Sequence, residues 1–235
     1  MYKVKYLFYG TIFISLIFIL FTAGCSDGDQ LVDNEKSEVK DADGNVYHTV
    51  VIGTQTWMVE NLKTTKYNDG TPIPLVTDNS AWGNLTTPGY CWYKNDKSSY
   101  ENPYGALYNW YAVETGKLSP QGWRVATDAD WTALADYLGG SNVAGGKLKE
   151  SGTAHWKSPN NGATNETGFT AIPTPGRQAG GQFSDDTNSY SYWWIAPKKD
   201  GTDPWYLSIY HNGTSISKSS YIHWKVGFSV RCIKD

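Results

Sequence analysis

Residues 122–140, GWRVATDADWTALADYLGG, specify one amphipathic helix together with its start and its stop. Thr127 is placed to cap the N-terminus, and Asp130 follows at capping-box spacing. Asp128 and Asp130 set negative charge against the positive end of the helix dipole. Trp131, Leu134, Ala135 and Leu138 fall at i, i+3, i+4 and i+7 and form one apolar stripe, after which Gly139-Gly140 ends the helix. The stretch holds no nucleophile, metal-ligand pair or phosphate loop, so it decides fold rather than chemistry.

Downstream the chain turns to short extended pieces at 168–172, 191–195, 205–210 and 226–233. In the last, Val226, Phe228, Val230 and Cys232 share one face and point inward. Upstream, PYGALYNWYAVETG (103–116) has Pro103 at a helix start, Tyr104, Leu107, Tyr108 and Tyr111 on one face, and Gly116 past the end, which predicts an earlier helix. DADGN (41–45) reads as a turn into the alternating VYHTVVI, and Gly53-Thr54-Gln55 turns the chain into TWMVENLK, so the domain opens with a hairpin. Residues 66–88 are loop, and Tyr90-Cys91-Trp92-Tyr93 is a short strand. Two early helices followed by strands, joined by long polar loops, make an α+β pattern with an antiparallel sheet. The 235 residues suffice for one domain with a sizeable core.

The first 24 residues carry an address. Lys3 and Lys5 form a basic start, no charge follows from Tyr6 to Gly24, and the run ends at Thr22-Ala23-Gly24-Cys25. This resembles a bacterial lipoprotein signal, cut before Cys25, whose sulfur then carries the lipid that attaches the protein to a membrane. Thr22 departs from the usual Leu three residues before that cysteine, and an uncleaved transmembrane anchor is the alternative. Residues 25–40 begin with Ser26-Asp27-Gly28-Asp29, lack aromatics and read as a flexible acidic tether. An acidic stretch behind the cysteine resembles signals that send lipoproteins to the outer face of the outer membrane. The expected address is therefore the outer membrane, with export to the cell surface and a merely solvated linker as the two readings of the acidic stretch, and the domain proper is 41–235. Removing residues 1–24 takes away two lysines and no acids, so the net charge moves from −3 to −5, which argues against a nucleic-acid partner.

All 11 tryptophans lie from Trp57 onward, which predicts an aromatic core. Trp193 and Trp194 are neighbours on a strand and face opposite ways, so one core holds both only if the sheet is covered on each side; otherwise one is a surface ring. Cys91 and Cys232 remain in the domain, and an even count in an oxidising compartment suggests one disulfide, with two buried thiols as the alternative.

The ordered landmarks WMVENLK, CWYKND, YGALYNWYAV, GWRVATDADWTAL, GFTAIP, YWWI and GFSVRCIKD, spanning about 41–235, resemble the Fibrobacter succinogenes major paralogous domain. The resemblance implies secreted proteins and lipoproteins, a relation to the C-type lectin-like fold, and a more distant one to formylglycine-generating enzymes. Family members often have Pro at the position of Ala126, Glu at that of Asp130, and some Cys at that of Ser119. Ser119 leaves Cys91 as the partner for Cys232. The family supplies no catalytic residues to carry over.

Several motifs fall short of their chemistry. DADGN begins like a calcium loop, but its glycine comes early and Ile52 stands where the closing Glu belongs. Asp185, Asp186, Asp200 and Asp203 lie in loops beside aromatic strands and are candidate oxygen ligands for calcium. GGSNVAGGK (139–147) fails phosphate-loop spacing and reads as a glycine-rich turn. His48, His155, His211 and His223 form no zinc-type spacing, and no nucleophile elbow is present. The strongest candidate surface is the aromatic set Tyr190, Tyr192, Trp193, Trp194, Trp205, Tyr206, Tyr210, Tyr221 and Trp224. Rings there would stack on sugar faces while Arg177 binds hydroxyls, and burial in the core is the leading alternative for each single ring. The expected function is a tethered, non-catalytic recognition module for a glycan or protein, without a required cofactor. The alternatives are a structural spacer in an envelope assembly or a divergent enzyme using Asp185, Asp186 and Asp203.

Overall fold

The computed structural model describes residues 1, 37–197, 203–220 and 222–235. The signal segment, Cys25, Asp200 and Tyr221 lie outside the described residues. The compact unit runs from Glu35 to Asp235. Its strands among the described residues are β1 (Glu38–Lys40), β2 (Val46–Ile52), β3 (Gln55–Met58), β4 (Tyr90–Cys91) and β5 (Leu107–Tyr108). Then come β6 (Trp123–Val125), β7 (Tyr190–Ile195), β8 (Trp205–Tyr210), β9 (Ile216–Ser219) and β10 (Cys232–Lys234). The helices are α1 (Asn79–Gly83), α2 (Lys97–Tyr100), α3 (Trp110–Val113), α4 (Asp128–Tyr137) and α5 (Ser141–Leu148). This is a mixed α/β fold with few helices. One antiparallel sheet has the order β1-β2-β3-β10-β6, a second pairs β4 with β5, and a third runs β7-β8-β9.

The helix α4 forms as expected. Thr127 Oγ1 accepts from the Asp130 amide, and the Asp130 carboxylate accepts from the Thr127 amide at 2.8 Å, closing the capping box. Trp131, Leu134, Ala135 and Leu138 are all buried. The β2–β3 hairpin and the β7 and β8 strands also match expectation, and Val226, Phe228, Val230 and Cys232 all join one core.

Other expectations are corrected. Residues 103–116 make no single helix: Leu107-Tyr108 pairs with β4, and the helix proper is one turn from Trp110, capped by Asn109, whose side chain accepts from the Ala112 amide. Residues 139–147 are not a turn but lead into α5, whose Gly145 and Gly146 allow close backbone approach. A Cβ on Gly145 would lie 2.4 Å from the Ser215 carbonyl oxygen, and one on Gly146 2.6 Å from that of Gly162. Residues 38–40, read as tether, pair with Val46, Tyr47 and His48. Residues 168–172 contribute only a bridge from Ala171 to Lys149, and the last extended run narrows to β10, preceded by bridges at Gly227, Phe228 and Ser229.

Both thiols are free and buried. Cys91 sits with Trp82, Tyr93 and Leu107, while Cys232 pairs with Val125 in a different core, so the expected disulfide does not form. Burial pushes the Cys91 thiol up to about 12 and raises that of Cys232. The fragment 37–235 is therefore expected to resist alkylation at pH 8 when native. Unfolded in urea without reductant, it takes up two alkyl groups, read by mass spectrometry. No uptake after unfolding would mean the bridge exists.

Two of the three cores among the described residues lie on either side of β7. On β7, Trp193 faces a core with Trp57, Trp131 and Phe169, and Trp194 faces another with Trp110, Tyr108 and Phe228. Both rings are 0 % exposed, so the strand is covered on each side and neither is a surface ring. With so few regular elements, long loops are held by side chains reaching main-chain carbonyls. Trp82 donates to Lys225 O, Trp156 to Ala171 O and Trp194 to Tyr108 O.

Candidate functional site

Alternate strand residues share a face, and the register sets Tyr190 opposite Tyr210 and Trp194 opposite Tyr206. One face of the β7–β8 pair therefore carries Tyr190, Tyr192, Tyr206 and Tyr210, all partly exposed. The Tyr190 ring lies 4.3 Å from Tyr210 and 5.5 Å from Tyr192, and Tyr192 lies 4.8 Å from Phe228. The planes of Tyr190, Tyr192 and Phe228 are nearly parallel, at 13° and 14° between neighbours. The faces in this row are turned to one another, so ring edges and phenol groups are what it offers to solvent. A hydrogen bond with Tyr210 and burial both raise the Tyr190 phenol, and burial pushes Tyr192 up to about 12, so these groups are neutral at physiological pH.

At its Phe228 end the row meets a groove of about 250 Å³. Tyr192, Tyr206, Ala179, Ile222, Val226 and Phe228 line it, with Gln178 and Ser184 adding polar groups. Its lining offers no carboxylate, imidazole or thiol among the described residues. At the opposite end, Lys149 is 0 % exposed and donates to the carbonyls of Tyr210, His211 and Gly213 at 3.1, 3.2 and 2.9 Å. Burial pushes its ammonium down to about 8. This lysine fixes the turn between β8 and β9, and with it the end of the tyrosine row.

Arg177 borders the groove but is 0 % exposed and is already bonded. Its Nε donates to Gly181 O, Nη1 to Val76 O, and Nη2 to Thr77 O and Asn79 Oδ1. It also stacks over Trp82 at 4.4 Å and Phe183 at 4.8 Å. Arg177 thus anchors the 76–79 loop instead of offering donors to a ligand. Trp205 is partly exposed but packs against the core on the other side of the sheet. Of the expected ligand-binding residues, the fold brings Tyr192 and Tyr206 together at the groove and places Trp193, Trp194 and Trp205 elsewhere. Residue-by-residue reading missed Phe228, Ile222, Ala179 and Gln178 as groove residues. The shared parity of Tyr190 with Tyr192 and of Tyr206 with Tyr210 is the signal that marks the face itself.

Asp185, Asp186 and Asp203 are exposed, and no group of three or more His, Cys, Asp or Glu among the described residues is placed to hold a metal ion. In DADGN, the Asp41 carboxylate is occupied by the amides of Asp43 and Asn45 and by the Tyr47 hydroxyl. Asp43 accepts from the Thr65 amide and pairs with Lys66 at 3.3 Å. The motif is a clamped turn. No helix among the described residues is long and apolar enough to cross a membrane.

Neither a curated protein nor a solved structure matches the chain. The model of the Fibrobacter succinogenes major domain matches residues 50–234, which takes in the tyrosine row and the groove, and the chain belongs to that family.

Proposed function

We propose that this protein is a non-catalytic recognition module, anchored to the outer membrane through a lipid on Cys25, that binds a glycan at the tyrosine row and its groove. A C-type lectin-like arrangement of short strands and long loops fits that role. The observation that carries the reading is the convergence of the partly buried Tyr192 of β7 and Tyr206 of β8 with Ile222 and the buried Phe228 on one solvent-open groove whose lining among the described residues has no carboxylate, imidazole or thiol. A saccharide suits such a surface. Its C–H faces pack on apolar walls, and its hydroxyls meet the polar groups of Gln178, Ser184 and the phenols. Neutral, rigid tyrosines also lose little side-chain freedom on binding.

The test is binding of the soluble domain to a broad glycan panel with and without calcium, followed by Tyr192→Ala and Tyr206→Ala. A saccharide-specific signal is expected to fall about tenfold in each variant, the effect of losing one aromatic contact. Silence across the panel with capture of one stoichiometric envelope protein would instead favour a protein ligand or a structural spacer. Turnover abolished by replacing Asp185, Asp186 or Asp203 would make the protein an enzyme.

A further inference from the structure

The two buried arginines differ by one nitrogen. Arg177 uses Nε, Nη1 and Nη2 on carbonyls and an amide. Arg231, 1 % exposed, uses Nε on Asn61 Oδ1 and Nη1 on the carbonyls of Met58, Val59 and Phe169, whereas its Nη2 donates to none of the described residues. No carboxylate of the described residues lies within ion-pair distance of it. Glu60, the nearest acid by its electrostatic effect, is turned to His48, taking its amide at 2.8 Å and lying 2.6 Å from its ring nitrogen.

This guanidinium lines a cavity of about 210 Å³ whose other walls are Val59, Glu60, Asn61, Pro103, Thr170 and Ile172. The walls are mainly apolar and the buried charge is cationic. A guanidinium with an unused nitrogen donor, lining a recess it shares with Val59, Pro103 and Ile172, matches a carboxylate carried on a compact hydrophobic group. Such an anion would also supply the counter-charge that burial denies Arg231.

We propose that the Arg231 cavity is a binding site, separate from the tyrosine groove, for a carboxylate on a small apolar group, either a free aromatic acid or the last residue of a peptide chain. The proposal does not depend on glycan binding.

Saturation-transfer NMR on the full-length chain in neutral detergent tests it with benzoate against benzamide, and with acetyl-Ala-Val against its C-terminal amide. A free-acid site shows transfer to benzoate and not to benzamide, and a chain-terminus site shows transfer to the peptide acid and not to its amide. Val59→Trp, which fills the recess from a half-exposed position, should abolish the signal while the melting temperature is retained. Glu60→Gln, which removes the only acid of the lining among the described residues, should tighten binding about threefold. Equal signals from acid and amide in both pairs would overturn the proposal, as would transfer that survives Val59→Trp in a folded chain.

Discussion

Arg231→Met is expected to cost the domain about 3–5 kcal/mol of unfolding free energy, because several buried main-chain carbonyls lose their donor at once. The side chain sits where β3 leaves its hairpin and meets the loop before Ala171. It donates to Met58 O at 3.0 Å and Phe169 O at 3.1 Å, and to Val59 O. It also lies 4.4 Å from the Phe169 ring centre. Methionine fills similar volume but leaves these carbonyls unpaired in the interior, at about 1–3 kcal/mol for each one stranded. Arg231→Lys recovers only part of the loss, because one ammonium cannot keep the planar stack and serve Asn61 as well. Urea unfolding at pH 7 reads the difference as a shift in midpoint at unchanged slope. A Met variant within about 1 kcal/mol of the parent would show that the staple is dispensable. Since domains are stable by only about 5–15 kcal/mol, the predicted loss removes from about a fifth to all of that margin.

What made α4 and the opening hairpin legible was local physics. A cap, an acidic first turn and a stripe at helical spacing all act within a dozen residues, and so does a turn between two alternating runs. The inward face of Val226, Phe228, Val230 and Cys232 was legible for the same reason. The failures are all long-range. Nothing within 139–147 announces a helix with two glycines, because its reason is the approach of the 214–215 and 162 backbones. Residues 103–116 carry a helical apolar pattern, yet Tyr108 gains more by pairing with β4 and Phe228 than by continuing a helix. For the candidate site, strand parity groups Tyr190 with Tyr192 and Tyr206 with Tyr210, but it does not show exposure, since Trp194 shares that face and is buried, and the burial of Arg177 was not legible either. A charged side chain is exposed by default, and only the carbonyls of Val76 and Thr77, about a hundred positions away, reverse that. Counting cysteines likewise says nothing about which core each thiol enters.

Trp193→Ala and Trp194→Ala are each expected to destabilise the domain by about 3–5 kcal/mol, the cost of emptying a buried ring's space. Neither can report on a ligand. Trp194 donates to Tyr108 O at 2.7 Å and lies 5.2 Å from Trp110, tying β7 to the helix α3 region. Trp193 packs 5.8 Å from Trp131 and donates to Asn61 Oδ1 at 2.8 Å. That same oxygen accepts from Arg231 Nε at 3.1 Å, so removing the indole frees the amide to reorient and loosens the arginine as well. Trp193→Ala combined with Arg231→Met should therefore cost less than the sum of the two, by about 1 kcal/mol or more, whereas Trp194→Ala combined with Arg231→Met should be additive. Tyr192→Ala offers the contrast: partly buried and on the opposite side of β7 from Trp193, it should leave most stability intact while weakening binding at the groove about tenfold. If Trp193→Ala abolished binding at unchanged stability, the rings of β7 would have exchanged roles, and the site would lie on the face assigned here to the core.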